Sequence, residues 1–117
     1  KVKFVKSAPV FAHFKFVNSL FYHLTRKLLI IKLNTFYGCS SLTTISVDND
    51  NNYLSSADGV LFNKDKTTLI ICPEGKTGSY SIPTNVKTIG SGAFSWCTRL
   101  TSVTIPNSVT STGDYAF

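Results

Sequence analysis

The chain has 117 residues, 43% of them hydrophobic and 15% charged, with a formal net charge of +6. That length holds one domain or part of one, and a core forms only if small units stack, since a single short unit buries too little apolar surface. The charge is uneven. Residues 1–33 carry seven positive charges (Lys1, Lys3, Lys6, Lys15, Arg26, Lys27 and Lys32) and no acid, whereas residues 34–117 carry five basic against six acidic side chains. A near-neutral body sets aside a nucleic-acid face along it, where phosphate-binding and base-stacking residues would interleave. The basic end instead suits an anionic partner.

In residues 1–21 the pattern is weakest. Phe14, Val17, Phe21, Leu24, Leu28 and Ile31 recur at three-and-four spacing, one face of an amphipathic helix. From Tyr22 a second reading competes. Tyr22-x-Leu24-x-x-x-Leu28-x-x-Ile31-x-x-x-Thr35-Phe36 matches Tyr80-x-Ile82-x-x-x-Val86-x-x-Ile89-x-x-x-Ala93-Phe94. The division expected is therefore a basic apolar segment over 1–21, helical over roughly 9–21, and a repeat body over 22–117. Lys15 interrupts the early apolar stretch, and no small-residue cleavage site follows it, so a signal peptide fits poorly. No run reaches the ~18 apolar residues of a membrane-spanning helix.

Phe36-x-x-Cys39-x-x-Leu42-Thr43-x-Ile45-x-Val47 opens a clearer unit. An insertion over about 48–78 then interrupts it. Asp48 to Asn52 reads as a polar loop. Val60–Phe62 and Leu69–Cys72 read as two strands of a hairpin around a polar turn at Asn63–Thr68, closed by Pro73.

Beyond the insertion the chain repeats itself. Ile82-Pro83-x-x-Val86-x-x-x-Gly90-x-x-Ala93-Phe94 returns, at an offset of 23, as Ile105-Pro106-x-x-Val109-x-x-x-Gly113-x-x-Ala116-Phe117. The Phe36 unit returns, at an offset of 58, as Phe94-x-x-Cys97-x-x-Leu100-Thr101-x-Val103-x-Ile105. Such periods mark solenoids, whose units bury their apolar faces against one another. Leu100–Ile105 reads as a half-buried strand ended by Pro106. Gly90 and Gly113 are expected to supply unusual backbone angles at tight reversals. Phe94 and Phe117 are expected to anchor stacked turns, and Thr112, standing where Ile89 stands one unit earlier, to weaken the last one. The chain begins at Lys1 and stops at Phe117, where a Cys-x-x-Leu half is due, so the array is expected to continue in a longer protein.

These residues strongly resemble the BspA-type leucine-rich repeat, well over 35–117 and poorly over 22–34. The element Tyr53-x-Ser55-x-x-Asp58-Gly59-Val60-Leu61-Phe62 looks like a variant unit of such arrays. The resemblance implies a β-rich leucine-rich-repeat solenoid, right-handed, with units of about 23 residues and an inserted β-hairpin. It further implies a cell-surface or secreted protein of bacterial or protozoan type and no catalytic residues. Expected partners are proteins or glycoproteins, such as host matrix or plasma proteins, with no cofactor. Membrane-surface or anionic-polymer attachment through the basic segment is the alternative.

Few motifs bear chemistry. Asp48-x-Asp50-x-Asn52 has the opening spacing of a calcium loop, but Tyr53 replaces its turn glycine and Gly59 its final glutamate, so it reads as a solvated turn. His13 and His23 lack nearby ligating companions, and Gly90-Ser91-Gly92 lacks the rest of a phosphate loop. Cys39 and Cys97 share a repeat position and should be buried thiols. Cys72 lies outside that register, and the spacings match no zinc or redox motif. The binding candidates are the outward strand residues Thr44, Ser46, Ser102 and Thr104, expected on one sheet, together with Trp96 and Arg99 in the preceding loop.

Overall fold

A computed structural model describes residues 36–117 and the backbone strand Val2–Lys6. The helical reading over 9–21, the 21/22 boundary, His13 and His23 all lie outside the described residues. Among the described residues the architecture is built of strands: β1 (Val2–Lys6), β2 (Leu42–Val47), β3 (Leu54–Ala57), β4 (Val60–Asn63), β5 (Thr68–Ile71), β6 (Gly78–Ser81), β7 (Thr88–Ile89), β8 (Leu100–Thr104) and β9 (Ser111–Thr112). No described helix is long and apolar enough to cross a membrane. The first strand is unanticipated: β1 pairs antiparallel with β2.

Two parallel ladders organise the repeat body. On one, β6 pairs with β8, setting Ser79 against Ser102, Tyr80 against Val103 and Ser81 against Thr104. On the other, β7 pairs with β9, setting Thr88 against Ser111 and Ile89 against Thr112. Loop hydrogen bonds join the same neighbouring turns. Lys87 N–H donates to Thr67 O at 2.7 Å, and Thr110 N–H to Lys87 O at 2.8 Å. The Cys72 and Phe94 amides donate to the Ala93 and Ala116 carbonyls, both at 2.7 Å. Each stretch of chain thus satisfies its backbone with the next turn, which is how a repeat too small for its own core acquires one.

The insertion is more deeply built in than a side hairpin. The strands β3, β4 and β5 form an antiparallel meander, and β5 also pairs parallel with β7, so the meander is the start of the second ladder. Asp58-Gly59 makes the first turn, with φ of 49° and 76°, the positive pair that a two-residue hairpin loop favours. Asn63 makes the second. Its side chain accepts Thr68 N–H at 2.8 Å and donates to Thr67 Oγ1 at 2.9 Å. Val60, Leu61 and Phe62 are all buried because β4 lies between two cores. Leu61 joins Phe36, Leu42, Ile45 and Ile71, while Val60 and Phe62 join Leu69, Tyr80, Val86 and Ile89. A strand covered on both faces has no polar side, hence its unbroken apolar run.

The polar loop also has its own order. Asn51 Oδ1 accepts the amides of Tyr53 and Leu54, each at 2.9 Å. The Lys64 ammonium donates to Asn49 O at 2.9 Å and Asn51 O at 2.6 Å. A lysine therefore ties down two carbonyls of this loop, and the loop's order comes from its own polar contacts.

Two expectations need correction. Gly90 and Gly113 do not adopt left-handed angles; Gly38, Gly59, Gly78 and Gly92 do. Gly90 and Gly113 are needed for closeness instead. A Cβ on Gly113 would fall on the Ser91 backbone, and one on Gly90 would lie 3.1 Å from Leu69 O. Phe117 does pack on the turn before it, stacked on Phe94 with centroids 5.2 Å apart and parallel rings. However, it stays 61% exposed, because nothing described stacks beyond it. Thr112 is exposed for the same reason.

Candidate protein-binding site

The segment Phe-x-x-Cys-x-x-Leu forms the same local structure in both copies. Cys39 N–H donates to Phe36 O at 3.0 Å and Cys97 N–H to Phe94 O at 3.2 Å; Leu42 and Leu100 then donate to the Cys39 and Cys97 carbonyls. The turn requires a left-handed residue just before the cysteine. In the first copy that residue is Gly38, at φ 77°; in the second it is Trp96, at φ 61°. A bulky side chain in this region costs about 1–2 kcal/mol relative to ordinary backbone. Trp96 therefore holds a place that a glycine fills without strain.

The strain accompanies exposure. Trp96 is 61% and Tyr37 58% accessible, and the two rings meet edge to face with centroids 5.8 Å apart at 81°. They border a cleft of about 200 Å³, floored by Phe36, Ile71 and Cys72 and edged by Glu74. Glu74 Oε1 accepts Gly38 N–H at 3.0 Å, which ties the aromatic turn to the loop after β5. Burial pushes the Glu74 carboxyl up from its ordinary 4.5, and the Gly38 hydrogen bond only partly opposes this. An amphipathic aromatic pair beside an apolar floor, with one carboxylate at its rim, has the composition of an anchor pocket for a protein side chain.

The other candidate residues divide. Ser102 and Thr104 are exposed on β8, beside the exposed Ser79 and Ser81 of β6, and Arg99 is exposed in the loop before β8. Thr44 and Ser46 lie on β2, in a separate sheet with β1, so the four do not share one sheet as expected. The separation follows from the meander. Gly59 packs on Thr44, where an added Cβ would lie 3.3 Å away, and its carbonyl accepts Ile45 N–H at 2.9 Å. Val47 N–H donates to Ser56 Oγ at 2.9 Å. Thr44 and Ser46 are consequently half-buried. Both strands share a bulge at the same repeat position: Thr43 is skipped between the partners of Lys6 and Val5, and Thr101 between those of Gly78 and Ser79. The extra residue lets Leu42 and Ile45, or Leu100 and Val103, point inward despite their three-residue spacing.

Sequence reading missed Tyr37 and Glu74, which reach the Trp96 cleft only through tertiary contact. It also missed Ser79 and Ser81, although their offset of 23 from Ser102 and Thr104 was available to find them.

The BspA type leucine-rich repeat region matches residues 8–79 and 74–117, in six copies. No curated protein matches. Among solved structures, a leucine-rich repeat protein from Eubacterium ventriosum is similar at 38% identity and a TM-score of 0.66, over 70% of this chain and 22% of that one. The pneumococcal vaccine antigen PcpA is similar at 36% identity and a TM-score of 0.63, over 66% of this chain and 19% of that one. The chain thus spans about a fifth of the length of either. With a repeat match across nearly its whole length and strands stacked turn on turn, this chain belongs to the BspA-type leucine-rich repeat family.

Proposed function

We propose that this chain is a non-enzymatic protein-binding segment of a cell-surface or secreted adhesin-like protein, built as a right-handed solenoid with turns of about 23 residues. Leucine-rich repeats of this type generally serve as interaction surfaces. The offset of 23 between β6 and β8 partners supports the repeat length. The observation that carries the function is the exposed Trp96–Tyr37 pair over its cleft, with Trp96 kept in a backbone conformation that disfavours it. Such aromatics are the anchors that dominate protein interfaces. Arg99 and the polar row Ser79, Ser81, Ser102 and Thr104 supply adaptable hydrogen bonding around the anchor; Thr44 and Ser46 contribute only at their exposed edges. The partner class is a protein or glycoprotein, host matrix and plasma proteins foremost.

Trp96 is the single tryptophan, which makes the test direct. The chain is titrated with matrix and plasma glycoproteins, and with anionic vesicles, at low and high salt while tryptophan emission is followed. Glycoprotein binding that survives high salt and shifts Trp96 emission supports the reading. Binding confined to vesicles and abolished by salt would overturn it, and would move the activity to the basic segment 1–33.

A further inference from the structure

The fold joins two cysteines that the sequence keeps apart. Cys72 ends the apolar run of β5, and Cys97 follows the Phe94 turn of the next unit. The hydrogen bonds from Cys72 N–H to Ala93 O and from Cys97 N–H to Phe94 O bring those places side by side. Both sulfurs lie against one carbonyl: Cys72 Sγ is 3.9 Å and Cys97 Sγ 3.7 Å from Pro73 O. Cys97 Sγ is also 3.4 Å from Cys72 O. All three cysteines are free thiols, and Cys39, although equivalent to Cys97 in the repeat, belongs to the other core.

We propose that Cys72 and Cys97 form a redox-responsive pair, closing to a disulfide that staples consecutive turns. The linkage would enclose β6 and β7, so it would fix the start of both parallel ladders. Exposure sets the order of reaction. Cys72 is 2% accessible, whereas Cys97 is half-buried and directly follows Trp96, which lines the cleft that Cys72 floors. Cys97, the more accessible of the two, is therefore the readier nucleophile, in keeping with a side-chain interaction between the thiols that lowers Cys97 and raises Cys72.

The oxidant required is a low-molecular-weight disulfide, such as glutathione disulfide. The Cys97 thiolate attacks one of its sulfurs, the S–S bond breaks, and one glutathione thiolate leaves a mixed disulfide behind. The Cys72 thiol, on losing its proton to water, then attacks Cys97 Sγ and expels the second glutathione. Two cysteines are oxidised, and one glutathione disulfide is reduced to two thiols.

The whole chain is incubated with glutathione disulfide, blocked with an alkylating agent, digested with trypsin and mapped by mass spectrometry. The expected product links peptides 67–76 and 88–99, with Cys39 recovered alkylated. The linked chain should melt higher by on the order of 5–10 °C and return to the parent value with reductant. A Cys97→Ser chain should show no such shift. Recovery of both peptides unlinked, whether alkylated or carrying glutathione, would overturn the proposal. So would a linked chain that melts lower.

Discussion

Trp96 and Gly38 occupy one turn position in two copies, so truncating the tryptophan in two ways separates backbone strain from side-chain packing. At 61% exposed, Trp96 keeps roughly 60–100 Å² of its surface covered, worth about 1.5–2.5 kcal/mol at ~25 cal/mol per Å². Trp96→Ala loses that packing and still holds a Cβ at φ 61°. Trp96→Gly loses the same packing but relieves about 1–2 kcal/mol of left-handed strain, offset by ~0.5–1 kcal/mol of extra chain entropy on unfolding. The glycine variant should therefore be the more stable of the two by about 0.5–1 kcal/mol, the reverse of the usual order in regular structure. Urea unfolding followed by circular dichroism reads the difference, since both variants lack the fluorophore. An alanine variant as stable as the glycine one would refute the argument, because position 96 would then carry no strain. Both variants should lose glycoprotein binding equally, as both lose the ring.

Gly38→Ala is the companion experiment: nothing lies within 4 Å of an added Cβ, so the loss of about 1 kcal/mol in urea unfolding should come from φ alone. Gly113→Ala fails for the opposite reason, collision with the Ser91 backbone, and should cost about 1–3 kcal/mol by the same assay. Lys76→Met removes the ammonium that donates to Asp58 O at 2.6 Å, pairs with Asp58 Oδ2 at 3.3 Å and lies 5.3 Å from the Tyr80 ring centroid. Thermal unfolding should show a loss of about 1 kcal/mol, and a smaller one for Asp58→Asn, which keeps the carbonyl acceptor. Glu74 binds its proton more tightly in the folded chain than in the unfolded one, so stability should fall as pH rises from about 4.5 through the raised folded value. Glu74→Gln should flatten that fall, as measured by urea midpoints across the acid range.

The repeat itself was legible in the residues. Strand positions at Leu42–Val47 and Leu100–Thr104, the hairpin turn at Asn63–Thr68 and the buried Phe36 and Phe94 follow from alternation, turn chemistry and self-similarity, all local or periodic properties. Outward-facing positions follow from such patterns only in part: Ser102 and Thr104 are exposed as the strand alternation expects, whereas Thr44 and Ser46, equivalent by the same pattern, are half-buried. Long-range placement is different. The partial covering of Thr44 by Gly59, the entry of β5 into the β7 ladder, the arrival of Tyr37 and Glu74 at the Trp96 cleft, and the meeting of Cys72 with Cys97 depend on contacts between distant segments. Even the glycines show the division. Their type marks Gly90 and Gly113 as special, but only the stacked turns reveal that closeness, not backbone angle, is the reason. A repeat pattern encodes how one turn is made; what two turns bring together is decided by the packing between them.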